Sequence, residues 1–364
     1  MSAGKTIRRI GWRLGICLLL LVWIFHVIFM TEGGLAWQGP PAWAELSRSQ
    51  QWRIAWETGP PQLWGNLTAV DPFALILSFL VMGLTLLIGV ARWMIALRVQ
   101  GLNLPWSRAL GITFIAHFFN SFLLGSTGGD LMKAYYAAGE TAHKKTEAVV
   151  TVFVDRVIGL WSMLLFALAM VAFNFDLLRS HKRLQLLMLV ILGMLIVGTG
   201  FVVPAFWAGL SNRWTGAREW LQQLPKGKWI GRSLDSCREF GRSKRFFFKM
   251  VLVSTVLNLV CVLQYIILAR GLNIAVPVSV WMLIVPSIIC ISALPITPSG
   301  LGVRENLYVA ILAATPFLIP ETSALALSLL AYAGSLFWSL VGGGVYLFLK
   351  DRQHLEEVTE SGPE

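Results

Sequence analysis

The chain has 364 residues, of which 56% are hydrophobic and only 13% charged, with a formal net charge of +11. Soluble domains carry roughly 25% charged residues, so this sequence cannot clothe a water-facing surface and the soluble enzyme and soluble binding-module classes are excluded. Its basic residues lie in the connections between apolar stretches, where cytoplasmic loops carry them, and not in a tail or module suited to nucleic acid.

In chain order, Lys5, Arg8, Arg9 and Arg13 precede a first span from Leu14 to Met30. No small-x-small cleavage site follows it, so it reads as an uncleaved helix with its amino end in the cytoplasm. Residues 31–72 form an external segment with Trp37, Trp43, Trp52, Trp56 and Trp64, suited to the headgroup level or to packing on the bundle. Pro72 to Leu97 spans, with Arg92 and Arg98 marking its cytoplasmic end. Residues 106–126 form a first broken segment. Val149 to Phe173 and Leu184 to Trp207 span again. The connection 209–245 carries nine Lys/Arg against Glu219, Asp235 and Glu239 and reads as a basic cytoplasmic loop. Phe246 to Ala269 spans, residues 278–319 hold a second broken unit, and Ala324 to Leu349 is the last span. Residues 1–350 thus form a single transmembrane domain followed by a short cytoplasmic tail, 351–364. The expected fold is all-α: a polytopic membrane protein with about six full spans and two broken or re-entrant helical units. Arg179, His181, Lys182 and Arg183 fall on the external side, against the positive-inside trend.

The two broken units resemble each other. Gly101-Leu102-Asn103 opens an apolar run that ends in Gly128-Gly129-Asp130-Leu131-Met132-Lys133. Gly271-Leu272-Asn273 opens another, ending in Leu294-Pro295-Ile296-Thr297-Pro298-Ser299-Gly300-Leu301-Gly302-Val303-Arg304-Glu305. The first copy is entered from the cytoplasm and the second, three spans later, from outside; with no net crossing in either broken unit, the copies form an inverted repeat. Broken hydrophobic segments at matching places in two halves point to a transporter's binding site.

Charges in apolar sequence cost roughly 2.5–3.5 kcal/mol at a helix centre and mark functional candidates. Asp130 and Lys133 share a helical face after the first break and can pair. Arg304 and Glu305 follow the second. Asp155 and Arg156 lie inside a span, with Thr151 and Ser162 extending a polar stripe. Gly128 and Gly129, and likewise Gly300 and Gly302 after Pro295 and Pro298, can precede helix starts whose free N–H groups face an anion. With Lys133, Arg156 and Arg304 nearby, a phosphate would suit such a site. The alternative is that the charges pair with one another and only fix helix packing. His117 and Asn120 share a face and read best as a buried hydrogen-bonded pair. Replacing Arg304 by glutamine is expected to lower transport of an anionic lipid and leave the fold intact.

No nucleophile–base pair, metal spacing or phosphate loop is present. Pro298-Ser299-Gly300 lacks the histidine that a membrane phosphatase motif needs, since Leu301 stands there. Cys17, Cys237, Cys261 and Cys290 form no Cys-x-x-Cys. Neither an enzyme activity, a cofactor nor a metal is expected.

These motifs carry a resemblance to the lysylphosphatidylglycerol synthase transmembrane-domain family, also called flippase-like domain proteins. The matching residues are Gly128-Gly129-Asp130-x-x-Lys133-x-Tyr135, then Val154-Asp155-Arg156-x-x-Gly159-Leu160, then Leu294-Pro295-x-Thr297-Pro298-x-Gly300-x-Gly302-x-Arg304-Glu305. The resemblance implies a flippase-like domain over 1–350 that moves a phosphate-bearing or isoprenoid lipid across a bacterial inner membrane, with both termini cytoplasmic. In the synthases this domain precedes a soluble aminoacyl-transferase domain, which the 364 residues are not expected to hold. The partners implied are a membrane lipid, anionic or isoprenoid-linked, and a lipid-modifying enzyme encoded separately. The alternative is a non-transporting membrane partner of a glycosyltransferase or lipid-modifying enzyme. Lys133 stands where the family pattern favours arginine, which keeps the cation but not the planar fork.

Overall fold

The computed structural model describes residues 22–122 (without 23, 24, 27, 31, 32, 35, 36 and 38), 128–206 (without 142 and 143), 236–294 (without 238, 242 and 243) and 300–360. Among them every regular element is helical. The α-helices are α1 (Arg48–Thr68), α2 (Pro72–Val99), α3 (Trp106–Phe122), α4 (Gly128–Gly139), α5 (Lys145–Val171), α6 (Phe175–Ser180), α7 (Lys182–Phe206), α8 (Lys244–Gly271), α9 (Val278–Ser292), α10 (Val303–Leu312) and α11 (Glu321–Glu360).

Five stretches are long and apolar enough to cross a membrane: Pro72–Val99, Lys145–Ser180, Lys182–Gly200, Arg245–Gly271 and Glu321–Leu347. They coincide with five of the six expected spans. The sixth, Leu14 to Met30, lies largely outside the described residues, as does the loop 209–245. In a bilayer core only helices satisfy every backbone group within their own segment, so the long apolar runs become helices.

The helix α1 was not expected. Ser47 caps it: its hydroxyl accepts from the Gln50 N–H and the Gln50 side chain accepts from the Ser47 N–H, a reciprocal capping box. Ala55, Gly59 and Leu63 form its buried face, while Trp52, Trp56 and Trp64 stay exposed. Pro60 and Pro61 lie inside it. Proline disfavours helix interiors, and that is why the sequence concealed the element.

The chain forms two compact units. One is drawn from Met1–Met82, Phe166–Leu192 and Leu259–Ser335, the other from Gly83–Leu165, Gly193–Asn258 and Leu336–Glu364.

In the first unit, α9 is buried almost all round, through Val280, Trp281, Leu283, Ile284, Val285 and Ile288. A helix without a polar face belongs in a core. Pro286 interrupts its hydrogen-bond ladder, and the Ser287 hydroxyl donates to the Leu283 carbonyl at 2.7 Å. The helices α9 and α10 form a hairpin. At one end, Ser279 and Val280 and the exit residues Pro316 and Phe317 surround one cavity of about 540 Å³ with Ala172–Leu177. At the other, Gly300 returns so close to Ser292 that a Cβ there would lie 2.7 Å from the serine Cβ.

The basic cluster that offends the positive-inside trend has structural partners here. Arg183 donates to the Ala310 carbonyl near the end of α10, where a cation suits the helix dipole. Arg179 lies over the Phe175 ring at 4.5 Å. His181 Nδ1 accepts from the Leu184 N–H at 3.2 Å and caps α7.

In the second unit, α3 and α4 form an antiparallel hairpin. Asn120 accepts from the Gly129 N–H at 2.8 Å at one end, and Arg108 meets Glu140 at 3.8 Å at the other. Gly129 is required for this approach: a Cβ would fall 2.0 Å from the Ala116 carbonyl oxygen. Val90, Trp93 and Leu97 pack with Ala109, Ile112, Ala137, Ala148 and Val152. On α11, Gly342 lets the helix close on α3, since a Cβ would sit 2.1 Å from the Phe114 carbonyl oxygen. Small residues at helix contacts in membranes serve this purpose.

The repeat has a structural counterpart in a register other than the literal one. The helix α2 ends with Gly101 N–H donating to Arg98 O and Leu102 N–H to Leu97 O, and Gly101 has φ 67°. The helix α8 ends with Asn273 N–H donating to Arg270 O and Ile274 N–H to Ala269 O, and Asn273 has φ 55°. Both are Schellman caps, whose left-handed residue is glycine or, less often, asparagine. Arg98 therefore corresponds to Arg270, Gly101 to Asn273 and Pro105 to Pro277, and the next helix begins one residue after each proline. The shared Gly-Leu-Asn is displaced by two residues from this correspondence.

Candidate functional site

Asp155 is the centre of the site in the second unit. Its Oδ1 accepts from Arg92 Nε at 2.8 Å, and its Oδ2 lies 3.6 Å from Lys133 Nζ. The three side chains are 9%, 13% and 9% exposed for Asp155, Arg92 and Lys133, so all three are withdrawn from solvent. Lys133 Nζ also sits 4.3 Å from the centre of the Trp93 ring. Trp93 is held by its indole N–H, which donates to Thr151 Oγ1 at 3.2 Å, and Thr151 in turn donates to the Ala148 carbonyl. Arg92 extends a second arm to Ser254 Oγ at 3.4 Å.

The local sequence explains why these groups meet. Thr151, Asp155 and Gly159 follow one another at four-residue spacing on one face of α5. Gly159 leaves the space that the guanidinium fills, because a Cβ there would lie 2.6 Å from Arg92 Nη1. Arg156 is the next residue round the helix and points elsewhere. Its Nε lies 3.4 Å from Asp130 Oδ2, in a pair that is 37% and 31% exposed. The pairings thus differ from the expected ones. Asp130 meets Arg156 rather than Lys133, and Asp155 meets Arg92 and Lys133 rather than its neighbour. Arg92, expected to mark only a cytoplasmic helix end, is a member of the site. Its signal was available: it lies six residues before Arg98, inside the apolar run.

A second cluster forms in the first unit. Gly300 and Gly302 have φ of 69° and 86°, a region that glycine enters without strain. The Gly302 N–H donates to Glu305 Oε2 at 2.7 Å. Arg304 donates to Glu305 Oε1 from Nη2 at 2.5 Å and from Nε at 3.1 Å, and its Nε also meets Ser328 Oγ at 3.2 Å. The Arg304 guanidinium lies 4.7 Å from the Tyr332 ring centre. Glu305 is fully buried and the Arg304 side chain is 11% exposed. The backbone N–H that an anion was expected to meet is therefore already taken by the chain's own carboxylate. Pro298 and Thr297 lie outside the described residues.

Gly128, Gly129, Asp130, Lys133, Asp155 and Arg156 come together in one unit, and Gly300, Gly302, Arg304 and Glu305 in the other. Asn120 accepts from the Gly129 N–H at the start of α4, and the His117 carbonyl accepts from the Ser339 hydroxyl. Among the described residues no three His, Cys, Asp or Glu side chains gather as a metal would need.

Gly302 supplies a direct test of the second cluster. Gly302→Ala is expected to cost about 1–2 kcal/mol, the penalty for a left-handed L-residue. A thermal melt of the purified variant in detergent checks this, and an unchanged melt would show that the tight turn is not needed.

Apolar helices of spanning length, two broken hairpins and buried ion pairs define an all-α polytopic membrane protein. Within that class the chain belongs to the lysylphosphatidylglycerol synthase TM region family, whose model matches residues 49–343. No curated protein sequence matches it.

Proposed function

We propose that the chain is a flippase-like translocator that moves a phosphate-bearing or isoprenoid lipid between the leaflets of a bacterial inner membrane, with both termini cytoplasmic and no ATPase of its own. The observation that supports this reading most is the charge set at the first hairpin. Arg92, Lys133 and Arg156 face Asp130 and Asp155, which leaves an excess of one cation where α4 begins after its glycines. Ionisable groups kept inside a membrane domain despite their cost mark substrate paths. Arg156 is the cation with the greatest exposure of the three, which suits a first contact with a headgroup phosphate. The inverted repeat read from the sequence suits an alternating-access mode of transport.

The test is transport of fluorescent phosphatidylglycerol by the purified chain in liposomes without nucleotide. Arg156→Gln removes one charge-assisted contact, worth about 1.5–3 kcal/mol. It is expected to slow transport of the anionic lipid at least about tenfold and to leave a zwitterionic lipid unaffected. Equal rates for wild type and variant, or no transport by the wild type, would remove this reading.

A further inference from the structure

Arg92, Lys133 and Arg156 are balanced by Asp130 and Asp155 alone among the described residues of the cluster. With every group in its ordinary state the site holds one positive charge too many. An uncompensated charge withdrawn from water is costly. Two events can remove it: an anion arrives, or a cation loses its proton. Arginine does not deprotonate in proteins, so only Lys133 can respond in the second way. Its position favours that response. Arg92 Nε lies at 2.8 Å from Asp155 while Lys133 Nζ lies at 3.6 Å, so Asp155 stays paired if the lysine becomes neutral. The neutral amine can still rest on the Trp93 face, 4.3 Å away.

The charged groups around Lys133 come from α2, α4 and α5. Asp130 precedes it on α4, Arg92 approaches from α2, and Asp155 and Arg156 lie on α5. Asp155 and Asp130 favour the ammonium form, and Arg92 opposes it.

We infer that Lys133 is the proton-carrying residue of this site, so that an anionic headgroup and one proton occupy the cluster together. This deepens the proposed translocation and rests on that reading. The chemistry is a single proton transfer. The neutral Lys133 amine takes one proton from water, its Nζ becomes an ammonium, and the headgroup's negative charge balances it. No covalent bond to the lipid forms or breaks. Linkage fixes the sign: the anion binds the protonated form, so binding is strongest at low pH and weakens as pH rises past the lysine's value in the empty site. A transmembrane proton gradient would then drive the anion in the direction of proton flow.

The probe is phosphatidylglycerol, whose phosphodiester keeps one charge between pH 6 and pH 10, titrated into the purified full chain in zwitterionic detergent. In the wild type the affinity is expected to fall about tenfold per pH unit over part of that range. Lys133→Arg holds its charge at every pH, so its affinity, whatever its size, should show no such slope. Proton release or uptake in weak buffer provides a second measurement on the wild type alone: about one proton should be taken up per lipid bound at the alkaline end. Binding without a slope, without proton uptake, or with the same slope in Lys133→Arg would overturn the coupling and leave the anion site standing. Failure of the wild type to bind phosphatidylglycerol at any pH would overturn both.

Discussion

Asp155→Asn is expected to lower stability by about 3–5 kcal/mol, the cost of leaving buried partner charges uncompensated. Asparagine matches aspartate in volume, so the loss would be electrostatic and not a cavity effect. What remains is Arg92, nearly buried and without a carboxylate, beside a Lys133 that becomes a second unpaired cation wherever it is protonated. Asp130→Asn makes the contrast. Its pair with Arg156 is about a third exposed, and such pairs contribute about 1 kcal/mol or less. The measurement is the thermal midpoint of each variant in one detergent, with monodispersity as a check on folding. Below the pH at which Lys133 gives up its proton, adding Lys133→Met to Asp155→Asn should recover part of the loss, because the second unpaired cation is gone. Equal, small shifts for Asp155→Asn and Asp130→Asn would show that Asp155 does not organise the cluster.

The spans were open to reading from sequence because membrane crossing depends on apolar length, a local quantity. The run Phe246 to Ala269 became Lys244–Gly271, and Ala324 opened what became α11 at Glu321. Local signals failed where tertiary context prevails. Pro60 and Pro61 hid α1, although its capping box at Ser47 and Gln50 was present. The site divides along the same line. That Asp155, Lys133 and Glu305 are candidates follows from the cost of charge in apolar sequence. Who pairs with whom does not, since Arg92 and Asp155 are 63 residues apart. The aromatic seats were equally hidden, because Trp93 and Tyr332 look like any other residue of a span. Each hairpin nevertheless places a cation of its second helix on such a ring, Lys133 on Trp93 and Arg304 on Tyr332. The repeat was visible through Gly-Leu-Asn, but the caps show that position, not identity, is what the two copies share: Gly101 and Asn273 both supply the left-handed residue.

Arg304→Gln, which the sequence suggested as a clean probe of transport, is expected to destabilise the chain by about 3–5 kcal/mol instead. Glu305 is fully buried, and Arg304 is its cation. Glutamine can donate a hydrogen bond but cannot balance the charge. Glu305→Gln strands the arginine in turn, although its side-chain oxygen can still accept from the Gly302 N–H and keep the cap. The double variant Arg304→Gln/Glu305→Gln leaves no unpaired charge. It should therefore be more stable than the two single losses added together, by about 1–3 kcal/mol, the range for residues in contact. Thermal midpoints of the four proteins in the same detergent give this coupling directly, and strictly additive losses would show that the pair is not coupled. The cycle also decides what a transport defect at Arg304 means. A rate that falls in the single variant and returns in the double one reflects lost structure. A rate that stays low in the stable double variant assigns the guanidinium to the lipid.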